Sequence, residues 1–369
     1  MPDFSRAVRA PLRRLFITTV SFALVACGDS TTAPAAPGFL GGTSSNHEIG
    51  LVLNSTGKNL LLFQLGAPTV TQQVALGTSS TVTPTGFSVR GRRAAVPLGD
   101  AASVALINLE TATVQRFFVF AKGNATGSAF ADDTTIIAAN LLQNIVGRMT
   151  VGQPSDAITT TTTVAPQPTA VVTAGARVMI VSANLDANFL PIGNGVVTAV
   201  DPKSLQVLGT VASGGTNTTD GAIGPDGMLY VVNTGDYASP GSLTIINPAT
   251  LQVVTTVPNM GVGPGAITID ANGLAYISSF FYGTIVWNTK TRQFVRGPDN
   301  PVCAKLPSGS CRGAFAATSN AAGNVYQAFF GSASQKLAPY VFVYNAGTFA
   351  LTDSISAGTS PSAIQVRSF

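Results

Sequence analysis

Apolar residues in this chain come in runs of about four or five, rich in Val, Ile, Leu and Ala and bounded by Gly, Pro, Asn, Asp, Ser and Thr. That pattern is one of short strands and turns rather than of surface helices. One type of segment, a small residue leading into an apolar strand, recurs seven times. Its copies are Pro84-Thr85-Gly86-Phe87, Ala125-Thr126-Gly127-Ser128, Pro168-Thr169-Ala170-Val171, Thr219-Asp220-Gly221-Ala222, Pro264-Gly265-Ala266-Ile267, Cys311-Arg312-Gly313-Ala314 and Pro361-Ser362-Ala363-Ile364. The third residue is always Gly or Ala, and successive copies are spaced by 41, 43, 51, 45, 47 and 50 residues.

A second register follows the first. Each unit continues into a strand that ends in a turn: Leu51–Asn54, Ala95–Leu98, Ile137–Asn140, Val181–Asn184, Tyr230–Asn233, Tyr276–Ser279 and Tyr326–Phe329. Four of these end in Asn, a residue that tolerates the left-handed conformation of a tight turn. Third strands such as Leu243–Ile246 and fourth strands such as Val253–Val257 come next, with Asp201-Pro202 and Asn247-Pro248 at the turns between them. A period in the forties built of short strands is the mark of propeller blades. Two packed β-sandwiches are the rival architecture, and the regular spacing argues against them.

The stretch Gly224-Pro225-Asp226-Gly227-Met228-Leu229-Tyr230-Val231-Val232-Asn233, followed by Leu243-Thr244-Ile245-Ile246-Asn247, resembles YVTN-type and NHL-type propeller repeats. The resemblance spans residues 47–369 and implies an all-β fold without fixing an activity. Blade number follows from the ends. Ala363–Val366 is a first strand with no partners after it, whereas Glu48–Leu76 offers three strands and no first one. Joining them removes an open sheet edge and gives a seven-bladed β-propeller of four-stranded blades.

Composition sharpens this picture in two places. Charged residues are only 10% of the chain, against ~25% in an ordinary soluble protein. The formal charge of +4 is concentrated at the start, where Arg6, Arg9, Arg13 and Arg14 face Asp3. Residues 27–369 therefore carry a net charge of +1, with no basic stripe for nucleic acid. The apolar run Leu15–Val25 that follows is too short to span a bilayer, which takes ~20 residues, and has the layout of a secretory signal. Leu24-Val25-Ala26-Cys27 resembles the bacterial lipobox, which implies lipid attachment at Cys27 after removal of residues 1–26. Gly28 in place of Asp points to the outer membrane or cell surface. Residues 27–46 read as a flexible tether. The expectation is a monomer held at the cell envelope by its lipid alone.

Cys303 and Cys311 remain, eight residues apart in a Pro/Gly/Ser loop, and in an exported chain they read as a local disulfide. Zinc is not expected, because no further Cys exists and the one His is His47, near the tether. Function in such a fold belongs to the loops at one end of the channel. The positions that open each first strand are Thr85, Thr126, Thr169, Asp220, Gly265, Arg312 and Ser362, of which Asp220 and Arg312 are charged. The loops from second to third strands carry Phe189, Tyr237, Phe280, Phe281, Tyr282, Phe329 and Phe330, a candidate contact surface for a protein or glycan. Gly297–Arg312 forms one wall of that candidate site. The alternative is a metal-dependent hydrolase similar to the calcium-dependent lactonases of the senescence-marker type, with Asp220, Asn184 and Asn233 as ligands. No cofactor is expected outside that alternative, where calcium would serve. No nucleophile–base–orienter set is visible.

Overall fold

The computed structural model describes residues 48–333 and 336–369. The expected signal, lipid-bearing Cys27, tether and His47 lie outside them. Seven four-stranded antiparallel sheets make up the fold. Blade 2 holds Ser88–Arg90, Arg93–Pro97, Ser103–Asn108 and Thr113–Val119; blade 3 holds Ala125–Phe130, Thr135–Asn140, Ile145–Thr150 and Thr160–Thr163. Blade 4 runs from Pro168–Ala174 through Arg177–Ser182 and Val196–Val200 to Val207–Ala212. Blade 5 comprises Thr218–Ile223, Leu229–Asn233, Ser242–Asn247 and Gln252–Val257, and blade 6 Pro264–Ile269, Leu274–Ser279, Gly283–Asn288 and Gln293–Arg296. Blade 7 contains Ala316–Ser319, Val325–Phe329, Tyr340–Tyr344 and Leu351–Ser356. In blade 1, Pro361–Ser368 pairs with Glu48–Asn54 in front of Asn59–Gln64 and Ala67–Ala75. The ring closes as the sequence predicts, by the last strand joining the first three.

Position within a blade dictates composition. Second strands are buried on both faces, as in Leu229–Asn233 and Arg177–Ser182, so they read as continuous apolar runs. Outermost strands alternate: in Thr113–Val119 every second residue is exposed. The core therefore lies between adjacent sheets, as where Val232, Ile245, Ile267 and Ile277 meet between blades 5 and 6.

One turn repeats. At the end of the third strand in blades 2, 4, 5, 6 and 7, a side-chain oxygen of Asn108, Asp201, Asn247, Asn288 or Asn345 accepts from the backbone N–H groups two and three residues on. Four residues after each comes a left-handed residue: Ala112, Leu205, Leu251, Arg292 and Phe349. These turns sit at one end of the barrel of blades. The loops from second to third strands, and those that lead into innermost strands, sit at the other.

The Asn residues that end second strands act otherwise than expected. Asn184 alone is left-handed, with φ +57°. Asn54, Asn140 and Asn233 are buried and serve through their side chains instead. Asn140 Nδ2 donates to Lys122 O at 2.7 Å, and Asn54 Nδ2 donates to Asn59 Oδ1 at 2.8 Å.

Candidate functional site

The seven innermost strands enclose a channel of about 660 Å³, lined mostly by Gly, Ala, Ser and Thr. Near its mouth five innermost strands bulge, at Thr126–Gly127, Thr169, Thr219, Gly265 and Ser362. A bulge adds a residue and re-aims its side chain. Hydroxyls at these bulges, and that of Thr85 ahead of the blade 2 strand, tie blade to blade. Thr85 Oγ1 donates to Thr126 O at 2.6 Å, Thr126 Oγ1 to Pro168 O at 2.8 Å, Thr169 Oγ1 to Thr218 O at 3.2 Å, and Thr219 Oγ1 to Gly265 O at 2.9 Å. Positions that look bland in sequence are therefore staples around the channel.

The bulges also correct the sequence alignment of the two charged positions. Thr219, not Asp220, matches Thr169 and Gly265; Asp220 pairs with Val232 as Ala170 pairs with Val181 and Ala266 with Ser278. Asp220 thus occupies a small-residue position on the channel wall. Its Oδ1 accepts from Gly221 N at 2.8 Å and its Oδ2 from Ile267 N of blade 6 at 3.0 Å. Burial pushes its carboxyl up to about 6, against the pull of those two N–H donors. None of the ion pairs among the described residues includes it.

Arg312 lies further from its expected place. The innermost strand of blade 7 is Ala316–Ser319, with Ala316 opposite Ala328, so Phe315 holds the opening position and Arg312 precedes it by three residues. Arg312 lines a different cavity, outside the channel, and its guanidinium carbon stands 5.4 Å from the ring centroids of both Phe329 and Phe342. The structure does not bring Asp220 and Arg312 together.

Neither Asn184 nor Asn233 lines the channel beside Asp220. Asn233 is buried, with Nδ2 donating to Ser242 Oγ and Thr244 Oγ1 and Oδ1 accepting from Thr218 Oγ1. Asn184 Nδ2 donates to Asn194 O within its own loop. Among the described residues there is no group of three or more His, Cys, Asp or Glu side chains spaced to hold a metal ion.

The aromatic loops divide into support and surface. Tyr282 donates its hydroxyl to Met260 O at 2.5 Å and packs against the core between blades 5 and 6. Phe329 is buried beside Phe342. Tyr237, Phe280 and Phe281 are each more than half exposed, as are Phe189, Leu190 and Ile192 on the blade 4 loop. The rings of Tyr237 and Phe281 both close over Gly263. That glycine has φ +60°, and a Cβ there would fall 2.6 Å from Phe281 and 3.3 Å from Tyr237. Phe281 meets Phe280 edge-on at 5.7 Å, Phe280 meets Phe315 at 5.2 Å, and Phe315 stacks on Phe330 at 4.7 Å. These five rings form one ridge across blades 5, 6 and 7, with Phe315 just ahead of the inner strand of blade 7. Sequence reasoning missed Phe315, Leu190 and Ile192. The seven-fold repeat held the signal for Phe315, since it replaces the Thr, Ser or Gly of other blades.

The wall of this region is the loop before blade 7. Cys303 and Cys311 are joined as a disulfide, with Cα atoms 5.5 Å apart. The loop base is fixed independently: Thr284 and Val302 exchange both backbone hydrogen bonds at 2.9 Å. Buried Gln327 donates to Val302 O at 2.8 Å, and its own Oε1 accepts from Tyr344 at 2.9 Å.

No protein-family model matches the sequence, and no curated protein matches it. Among solved structures the chain is similar to Kuenenia stuttgartiensis hydrazine synthase, with a TM-score of 0.58 at 11% identity, covering 79% of this chain and 97% of that one. At that identity the similarity shows the β-propeller fold and nothing of the chemistry.

Proposed function

We propose that this chain is a cell-envelope lipoprotein, anchored through Cys27, whose propeller binds a partner protein through the ridge of Tyr237, Phe281, Phe280, Phe315 and Phe330. The observation that carries the reading is the contiguity of those rings on a rigid ring of sheets, with Tyr237, Phe281 and Phe280 more than half exposed and Phe315 and Phe330 half-buried beside them. Isolated exposed apolar side chains are ordinary, but a contiguous patch marks a contact surface. Tyr and Phe anchors concentrate binding energy at such surfaces.

A protein partner fits better than a glycan. Sugar recognition needs polar side chains beside the rings to satisfy hydroxyl groups, whereas the neighbouring carboxylates are engaged elsewhere. Asp236 accepts from Ala238 N and Ser239 N, and Asp186 accepts from Asn188 N and Leu190 N. Exposed Leu190 and Ile192 extend the apolar character. The hydrolase alternative lacks comparable support, because a hard cation takes six or more oxygen ligands and Asp220 stands without the carboxylates and amides that reading requires.

Replacing Tyr237 and Phe281 by Ala together is expected to weaken partner retention at least about tenfold, while the thermal midpoint stays that of the parent protein. Unchanged retention would overturn the proposal.

A further inference from the structure

Beneath the ridge, between blades 6 and 7 and the disulfide-closed loop, lies a cavity of about 490 Å³. Its volume is in the range of small-molecule sites, ~300–1,000 Å³. The walls are mainly apolar, with Phe280, Phe315 and Phe330 prominent, and among the described residues the one charged side chain lining it is Arg312. Among the described residues no carboxylate lines the cavity, and no ion pair includes Arg312. The Arg312 Nε–H is buried without an acceptor.

That combination is incomplete as it stands. The rings of Phe329 and Phe342 attract the cation through their faces, but a ring face is a poor substitute for an oxygen acceptor. A guanidinium presents a fork of N–H donors matched to a carboxylate, and holding the Nε–H of half-buried Arg312 out of water without an acceptor is costly. We infer that the cavity binds a monocarboxylate carried on an apolar body, the acid group on Arg312 and the body among Phe280, Phe315 and Phe330. One cation and an apolar wall suit a single negative charge rather than a phosphate. Such a group is supplied either by a free organic acid or by the C-terminal residue of a protein chain. The second source would deepen the proposed protein-binding role, on which this inference otherwise depends only for its neighbourhood.

Calorimetric titration of the purified propeller with 3-phenylpropionate and with acetyl-Ala-Ala-Phe, each beside its neutral amide, tests the assignment. One acid or both should bind with a Kd under about 1 mM, and the matching amide at least about tenfold more weakly. Arg312→Met should abolish the difference between acid and amide, and Arg312→Lys should restore part of it. Binding of the free acid alone points to a metabolite site; binding of the peptide acid points to a protein terminus. Equal affinity for acid and amide, or no binding of either acid at about 10 mM, would overturn the inference on the unsubstituted protein, without relying on a variant that must fold. Arg312→Met leaves Tyr237 and Phe281 in place, so loss of the carboxylate site is distinguishable from loss of the ridge.

Discussion

At the scale of single residues, Asp220 shows how far a sequence alignment carries. Its approximate place, on the inner strand of blade 5, was legible from the repeat. Its register was not, because the repeat aligns Gly221 with the small residues of other blades, whereas Asp220 itself stands where Ala170 and Ala266 stand in blades 4 and 6. The shift turns a rim carboxylate into a wall carboxylate bridging blades 5 and 6. This has a consequence in solution. The carboxyl titrates near 6 in the folded protein and near 3.8 when exposed, so the native state binds the proton more tightly. Its contribution to stability is fully present below pH 4 and is lost as pH rises through 6. A displacement of that size is worth up to about 3 kcal/mol, less whatever channel water screens. Melting curves of the parent and of Asp220→Asn should therefore separate by a few degrees between pH 4 and pH 7, the parent losing ground. Parallel curves would contradict the burial of this group.

Single Asn residues give a second example. Their position at strand ends is visible in sequence, but Asn184 adopts a left-handed turn whereas Asn140 and Asn233 satisfy buried groups. The same residue type performs both tasks, and only the neighbours across the blade decide between them.

At the scale of elements, hairpins were the most readable. Asp201-Pro202 and Asn247-Pro248 mark turns that the structure repeats at Asn108, Asn288 and Asn345, where no Pro follows to draw attention. The disulfide was legible from spacing and compartment, yet its work depends on tertiary contacts. Val302 and Gln327 hold the loop base, and the cystine adds to the backbone hydrogen bonds Arg312 N to Ala304 O and Leu306 N to Ser310 O in restraining residues 304–310. A cross-link closing so short a loop stabilises it by about 2–3 kcal/mol in the chain-entropy treatment. Reduction is expected to add two hydrogens to the intact mass and to quicken tryptic cleavage after exposed Lys305 at least about tenfold, the propeller itself remaining folded. An unchanged mass, or cleavage at the same rate, would contradict that role.

At the scale of the whole molecule, the repeat and the unpartnered terminal strands sufficed to derive seven blades and their closure. The ridge was only partly readable, because contiguity among Tyr237, Phe281, Phe280, Phe315 and Phe330 arises from three blades meeting at one end. Closure makes its own prediction. Truncation before Pro361 strips the inner strand from blade 1 and leaves Glu48–Asn54 as a bare apolar edge. The expected result is a lower, broader thermal transition with association visible by light scattering. A monomer that melts like the full chain would show that the last strand does not close the ring.

The most direct test of the binding ridge is photo-crosslinking in the producing cells. A photoreactive residue is placed at Tyr237 or Phe281, and in controls at Thr250 or Lys290, exposed turn residues at the opposite end of the same two blades. Crosslinks to one discrete protein species from Tyr237 and Phe281, and none from Thr250 and Lys290, are the expected result. Equal capture from both ends, or capture only from Thr250 and Lys290, would contradict it.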